Sequence, residues 1–293
     1  MAMRIGVKLP HTGPGAPAPT IPGNARRFED AGFDSLWVSD HIVLPSVIRS
    51  FYPFAADGVA TWSSDTPYVE ALVALTAAAA ATQTIGLGTA ALVLPQRNPI
   101  LLAKQAASID ALAGGRLMLG VGAGWLREEF DALAAPFEGR GARMLEWMTL
   151  LRDCWSGRPS AHTGAYDLPA DTLVLPTPAR PIPLYVGGHS KLALARAGRA
   201  GDGWLAQQSL PQLDPTALQD EIATVRGSAV AAGRDPAALT IVVRIVESLG
   251  RTDEVARQLR ALDRIGVDEI IVDVNVDDAS PAHDVLRDAS VSR

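Results

Sequence analysis

Cysteine, lysine and clustered positive charge are all scarce in this chain of 293 residues. The single cysteine, Cys154, excludes an internal disulfide framework and is typical of a reducing compartment. With a formal net charge of −6 and no basic cluster, the chain is not expected to bind nucleic acid. It lacks the apolar segment of a signal peptide and any run long enough to span a bilayer. We therefore expect a cytoplasmic protein without membrane partners.

Missing motifs exclude several catalytic classes. The five histidines show neither H-x-H nor H-E-x-x-H spacing, so we expect no catalytic metal. A serine hydrolase of the G-x-S-x-G type is not indicated, because that motif is absent. A Schiff-base aldolase needs a lysine inside the fold, and of the three lysines only Lys8 stands at a predicted strand end.

The residues that are present alternate between short apolar runs and segments of helical periodicity. Hydrophobic residues make up 48% of the chain, enough for a large core. The predicted strands cover residues 4–9, 35–39, 84–89, 116–121, 184–186, 203–206, 239–246 and 268–272. The predicted helices include residues 22–31, 67–82, 98–113, 140–155, 214–229, 252–262 and 282–289, and one more that begins at 190.

A strand followed by a helix, repeated about eight times, predicts an α/β fold of the (β/α)8 TIM barrel type. We expect one domain over residues 1–293. The alternative is a doubly wound open sheet, which would normally carry G-x-G-x-x-G after its first strand. Glycine spacing of that kind occurs at 120–124, but in the middle of the chain and without the acidic residue that should follow about 20 positions on.

The stretch Pro183–Ser190 places two glycines between a predicted strand and a predicted helix. Glycines at such a turn let the backbone approach a ligand closely, and the free N–H groups of a helix start favour an anion. We interpret this turn as a phosphate site. The alternative is a tight connection that binds nothing.

In a barrel, the carboxyl ends of the strands carry the active site. Asp40 and His41 form the only acid–imidazole pair at such an end, which makes His41 a candidate proton donor or ring contact. Alternatively, Asp40 caps a loop and His41 packs on the rim. Small residues at other strand ends leave room for a broad flat ring. The loop at residues 43–66 carries aromatics that we expect to cover the site, namely Phe51, Tyr52, Phe54 and Trp62.

Four segments carry a further signal, in order along the chain. They are SLWVSDHIVLP (Ser35–Pro45), IGLGTAALVLPQRNPILLAKQ (Ile85–Gln105), GGRLMLGVGAGWLREEF (Gly114–Phe130) and LYVGGHSKLALARAGRAGDGW (Leu184–Trp204). Together they closely resemble the luciferase-like monooxygenase superfamily, and within it the branch of coenzyme F420-dependent oxidoreductases.

The resemblance implies a barrel with an insertion after the fourth βα unit, at about residues 157–181, and a cofactor ring at the barrel mouth. It implies a non-prolyl cis peptide at Ala90–Ala91, and it makes His41 the candidate catalytic acid or base. The cofactor-binding residues that we expect are Asp40, Ala90, Ala91, Gly122, Gly124, Gly187, Gly188, His189 and Ser190. A homodimer is also expected, because members of the family are often dimeric.

The function implied is hydride transfer between F420 and a small organic substrate. One alternative is an FMN-dependent monooxygenase that uses O₂; another, from a different class, is a cofactor carrier without turnover. Trp125 stands where sugar-phosphate dehydrogenases of this family carry a proton-donating glutamate, so that activity is not expected. Arg97, Arg140 and Arg143 are candidates to line an exit for the charged F420 tail, or else are ordinary solvated charges.

Overall fold

Eight parallel strands close into a barrel in chain order. The computed structural model describes residues 3–13, 18–53, 55, 57–60, 62–164 and 166–291. The strands are β1 (Arg4–Lys8), β2 (Ser35–Val38), β3 (Gly86–Val93), β4 (Leu117–Gly122), β5 (Leu184–Gly187), β6 (Gly203–Ser209), β7 (Thr240–Val246) and β8 (Glu269–Val272). Each strand pairs in parallel with the next, and β8 pairs with β1. The predicted (β/α)8 barrel is therefore confirmed.

Helices surround the barrel and bury the outward face of each strand. Those in the described residues are α1 (Ile21–Asp30), α2 (Ala71–Ala81), α3 (Pro99–Leu112), α4 (Arg127–Ala132), α5 (Arg140–Trp155), α6 (Lys191–Ala200), α7 (Pro215–Ala231), α8 (Thr252–Arg264) and α9 (Ala279–Val291). Two predicted helix starts are confirmed by their capping bonds, because Asn98 accepts the N–H of Leu101 at 3.0 Å and Asp214 that of Thr216 at 2.9 Å. None of the helices within the described ranges combines the length and the apolar character needed to cross a membrane.

The structure differs from the predicted elements most clearly in two places, beside smaller shifts such as the extension of β6 to Ser209. β3 continues beyond residue 89 to Val93, with a register shift between Thr89 and Leu92. α4 was not predicted, because a helix of six residues is too short to show a clear period. In the segment between α5 and β5, the described residues form one isolated bridge, between His162 and Leu168. That this segment is an insertion stays a prediction.

Trp37 fills the middle of the barrel because glycines stand opposite it. A Cβ atom on Gly88 would lie 2.4 Å from the indole ring, and one on Gly6 would lie 2.7 Å from Nε1. The indole N–H donates to Ser35 Oγ at 2.7 Å and to Glu269 Oε1 at 2.9 Å. The interior below the barrel mouth is therefore packed around one anchored ring, together with Met118, Tyr185, Leu205, Val242 and Ile271.

We expect Gly88→Ala to destabilise the protein by ~1–3 kcal/mol, because the added methyl group overpacks the barrel against Trp37. The matched control is Gly227→Ala on the exposed face of α7, where an added Cβ meets nothing within 4 Å. That change should stabilise the protein by up to ~1 kcal/mol, because alanine favours the helix. Urea unfolding of the two variants measures both effects. Equal stability changes would contradict this account of the barrel interior.

Candidate active site

The carboxyl ends of all eight strands meet at one mouth of the barrel. Lys8 ends β1, Asp40 and His41 follow β2, and Ala90 and Ala91 lie in β3. Gly122 ends β4 and Gly187 ends β5. The fold therefore brings the residues that the sequence singled out at strand ends to the same mouth.

Part of the mouth, formed by β3, β4 and β5, is a wall of small residues: Ala90, Ala91, Gly122 and Gly187. A Cβ atom on Gly122 would meet only the Cβ of Ala91, at 3.6 Å, and one on Gly187 would lie 3.7 Å from the same atom. The cis peptide expected between Ala90 and Ala91 is present. None of these four residues has a side chain larger than a methyl group, so a flat ring can approach the backbone of the wall closely.

Asp40 is buried, and both of its carboxylate oxygens contact other groups of the protein. Its Oδ2 accepts the backbone N–H of Val93 at 2.9 Å, and its Oδ1 lies 2.6 Å from the Arg97 guanidinium. Arg97 also contacts Glu70, at 2.8 Å. Burial raises the pKa of the Asp40 carboxyl, and Arg97 opposes that rise. Asp40 thus locks the end of β3 to the end of β2, while its expected contact with a cofactor stays a prediction.

His41 is held by a carboxylate that the sequence analysis did not single out. Its Nδ1 lies 3.1 Å from Glu129 Oε2 on α4, and Glu129 Oε1 accepts the backbone N–H groups of Ile42 at 2.6 Å and Val43 at 3.2 Å. Because an ionised carboxylate only accepts, Nδ1 carries the proton when His41 is neutral. The other ring nitrogen, Nε2, has no hydrogen bond within the part of the chain that the structure describes.

The aromatic cluster, defined as Tyr52, Trp62, Tyr68 and Trp125, surrounds the His41 ring. The ring centroid of His41 lies 5.4 Å from Tyr68, 5.8 Å from Trp62 and 6.1 Å from Trp125. Tyr52 packs edge-on against Trp62 and Trp125, both at 5.0 Å. His41 is only 9% exposed as a result.

The loop predicted to cover the site contributes two members of the aromatic cluster, Tyr52 and Trp62. Phe51 is 67% exposed and lies outside the cluster, and Phe54 lies outside the described residues. Burial raises the pKa of Tyr68 to about 12, so its hydroxyl is neutral at physiological pH.

The glycine turn after β5 has the backbone form expected of an anion site. Gly188 has a φ of +113°, which a side chain would strain, and Ser190 Oγ caps α6 by accepting the N–H of Ala193 at 3.2 Å. The His189 ring is directed elsewhere: Nδ1 lies 2.9 Å from Glu221 and Nε2 lies 2.9 Å from the carbonyl of Gln207. If His189 contacts a ligand at this turn, its backbone is the group available.

Comparison with known proteins assigns the chain to a family. A family model described as luciferase-like monooxygenase matches residues 3–286. The chain belongs to this family. An uncharacterized protein of Mycobacterium tuberculosis is 37% identical over 211 residues, covering 72% of this chain and 71% of its own length. An F420-dependent glucose-6-phosphate dehydrogenase of Intrasporangium calvum is 31% identical over 249 residues, covering 78% of this chain and 70% of its own.

Solved structures with the same barrel belong to proteins that use different cofactors. An F420-dependent secondary alcohol dehydrogenase, in complex with an F420-acetone adduct, has a TM-score of 0.77 at 18% identity and covers 100% of both chains. The FMN complex of the oxygenating constituent of 3,6-diketocamphane monooxygenase from Pseudomonas putida has a TM-score of 0.73, also at 18% identity, covering 99% of this chain and 98% of its own. At such identities the likeness shows the fold alone.

Other expected site residues of this luciferase-like protein have internal partners. Gly124 has a φ of +83°, and a Cβ there would lie 2.6 Å from Val93 and from Phe130, so packing explains this glycine. Arg140 donates to the Gly124 carbonyl at 3.0 Å, and Arg143 donates to that of Pro136 at 2.6 Å.

Arg97 fits neither of the roles considered for it. It is not an ordinary solvated charge, because its side chain is 11% exposed and bound to two carboxylates. Those carboxylates neutralise it, so it offers no free charge to a cofactor tail.

Sequence reasoning also missed charged residues on the inner face of β7 and just after β8. Arg244 is 6% exposed, and one of its terminal nitrogens lies 2.5 Å from Asp273 Oδ1. A charged residue inside the apolar strand Thr240–Val246 was the available signal. For Glu129, the signal was a carboxylate soon after the glycines that end β4.

We expect Arg97→Met to destabilise this family member by ~3–5 kcal/mol, because it leaves the Asp40 carboxylate buried without its cation. The matched control is Arg127→Met, which breaks the exposed ion pair with Glu138 and should cost less than ~1 kcal/mol. Both values come from urea unfolding. A small effect at Arg97 would show that Asp40 does not depend on this partner.

Proposed function

We propose that this luciferase-like protein is an F420-dependent oxidoreductase that moves a hydride between F420 and a small organic substrate. The observation that carries the proposal is the wall of small residues at the barrel mouth, which leaves a flat ring access to Ala90, Ala91, Gly122 and Gly187. The relative named F420-dependent glucose-6-phosphate dehydrogenase, 31% identical over 78% of this chain, supports F420 as that ring.

The residues at the mouth fit this cofactor. Gly188 holds the positive φ of a turn through which backbone can meet a phosphate, and the α6 N-terminus follows it. In the proposed complex, the small-residue wall holds the ring, and the turn at residues 187–190 holds the phosphate. When bound, F420 supplies a carbon centre that accepts or donates a hydride.

His41 is proposed to move the proton that accompanies hydride transfer. Glu129 fixes the ring through Nδ1, which leaves Nε2 as the nitrogen able to take or give a proton. The aromatic cluster around His41 excludes water from this part of the mouth. Trp125 contributes packing and not a carboxylate, so Glu129 is the acidic partner of His41 in this chain.

An FMN-dependent monooxygenase is the second candidate. The FMN complex with a TM-score of 0.73 has the same fold, and the small-residue wall does not distinguish one tricyclic ring from the other. A carrier without turnover would use the same wall and turn. We also propose that the protein forms a homodimer and is located in the cytoplasm.

Paired titrations of the purified protein with F420 and FMN test the cofactor. We expect micromolar or tighter binding of oxidised F420 and weaker binding of FMN. Gly188→Val should weaken F420 binding at least tenfold, about 1.4 kcal/mol, because it fills the turn. The matched control is Gly233→Val. It strains another glycine of positive φ, +70°, in the turn that follows α7. Tight FMN binding without F420 binding would favour the monooxygenase.

Replacing His41 tests the proton transfer. With a substrate that the wild-type protein turns over, His41→Ala should lower kcat by ~10²–10⁴ while F420 affinity stays within a few-fold. His162→Ala is the matched control, because His162 forms a similar pair with Glu146, at 3.2 Å, away from the mouth. A near-normal kcat in His41→Ala would indicate that His41 packs on the rim and transfers no proton. F420 binding without turnover of any substrate would indicate a carrier.

A further inference from the structure

A second polar group lies in the barrel mouth, apart from His41, and the proposed hydride and proton transfers do not use it. It consists of Lys8 at the end of β1, Arg244 on β7 and Asp273 just after β8. β1, β8 and β7 are consecutive neighbours in the barrel, so the three side chains share one side of the mouth.

Strand alternation directs Lys8 into the barrel. Ile5 and Val7 are fully buried in the outer core beneath the helices, whereas Gly6 stands against Trp37 inside the barrel. Because successive residues of a strand point to opposite faces, Lys8 shares the inner face with Gly6. The same alternation places Arg244 inside, between Val243 and Ile245 of the outer core.

The group contains one more cation than anion. Arg244 is satisfied by Asp273 at 2.5 Å and by the carbonyl of Ile245 at 2.9 Å. The Lys8 ammonium, by contrast, has neither a hydrogen bond nor an ion pair within the described ranges. Burial, and next the charge of Arg244, lower the pKa of Lys8, and Asp273 only partly opposes them.

The other charged groups near the mouth do not supply the missing anion. Asp40 is paired with Arg97, and Glu129 accepts from His41 and two backbone N–H groups. Both ring nitrogens of the buried His11 face backbone carbonyls. Glu247 lies on the exposed rim after β7. Lys8 is half-buried at the mouth and its ammonium has no partner among the described residues, so a ligand that enters the mouth can supply its counter-charge.

We propose that Lys8, beside the Arg244–Asp273 pair, forms a subsite that binds an anionic group of the substrate, a carboxylate or a phosphate. This rests on the proposed function in so far as the mouth is the active site. Arginine and lysine are the side chains suited to both groups. Tyr52 lies over the same side, because its hydroxyl bonds to Gln207 of β6 and lies within the field of Arg244. The loop that carries Tyr52 therefore covers the subsite as well as His41.

Phosphate binding to the purified protein without cofactor tests the subsite directly. The probe is inorganic phosphate, followed by ³¹P NMR line broadening. We expect saturable binding in the wild-type protein and at least tenfold weaker binding in Lys8→Met. The matched control is Lys104→Met, which removes a lysine from the outer face of α3 and should leave phosphate affinity within twofold. Acetate and methyl phosphate, each tested for competition, distinguish a carboxylate subsite from a phosphate subsite.

The same variant separates a binding role from a structural one. If Lys8 is held for a ligand, Lys8→Met should keep or raise the melting temperature, because it removes a half-buried charge that no group of the described residues pairs. A lower melting temperature with unchanged phosphate affinity would overturn the proposal. Lys8→Arg keeps the charge and should retain phosphate binding within a few-fold. This variant controls for a folding defect in Lys8→Met.

Two further measurements, phosphate binding to Gly188→Val and F420 binding to Lys8→Met, distinguish this subsite from the proposed cofactor site. Phosphate binding that is lost in Gly188→Val but kept in Lys8→Met would place the anion at the glycine turn and overturn the subsite. Weaker F420 binding in Lys8→Met, with phosphate affinity unchanged, would make Lys8 a cofactor contact and also overturn it. Lys8-dependent phosphate binding in a protein that does not bind F420 would support the subsite while rejecting the proposed function.

Discussion

The buried ion pair between Asp40 and Arg97 is the constraint on which the barrel mouth depends. Asp40 follows β2 and binds the N–H of Val93 at the end of β3, so one carboxylate fixes two strand ends. Arg97 extends the link to Glu70, which accepts the N–H of Val73 at the start of α2. Because a buried charge is tolerated only with its partners, the network holds as a unit.

Two features of the mouth rest on that network. The Ala90–Ala91 pair lies two to three residues before Val93, so the bond to Asp40 holds the small-residue wall in place. His41 is the next residue after Asp40, and Glu129 fixes its ring from the opposite direction, through α4. The wall and the titratable ring are thus positioned by neighbouring contacts, with little freedom relative to each other.

The mouth has one side lined by small residues and another that carries the Lys8 group. The strands β3 to β5 offer small residues and backbone, whereas β7, β8 and β1 bring Arg244, Asp273 and Lys8 inward. This division suits a ligand pair in which one member is a flat ring and the other carries a charged group.

The local elements were largely predictable because they depend on short-range patterns. The helix starts at Asn98 and Asp214 were predicted correctly, since a capping side-chain oxygen and a following proline act within a few residues. The end of β3 was missed, because its last residues are fixed by Asp40, which lies 53 positions away in sequence. α4 was missed because six residues hold too little periodicity.

The candidate site was predictable in its location and less so in its contacts. The rule that strand ends carry the site selected His41, Ala90 and Gly187 without any knowledge of neighbours. It said nothing of the partners of His41, because Glu129 lies 88 positions away and meets it only when the barrel closes. His189 shows the same limit: it stands at the predicted turn, yet its ring binds Glu221 of α7.

By itself, the sequence determined the alternation of strands and helices, the barrel that follows from it, and the family. All three depend on local patterns and motifs. Only the tertiary structure decided which charges are paired. Asp40 and Arg97 became a buried structural pair, whereas Lys8 was left without a partner in the part of the chain that the structure describes. The physical reason is that charge pairing depends on distances of a few ångströms between strands far apart in sequence, and closure of the barrel sets those distances.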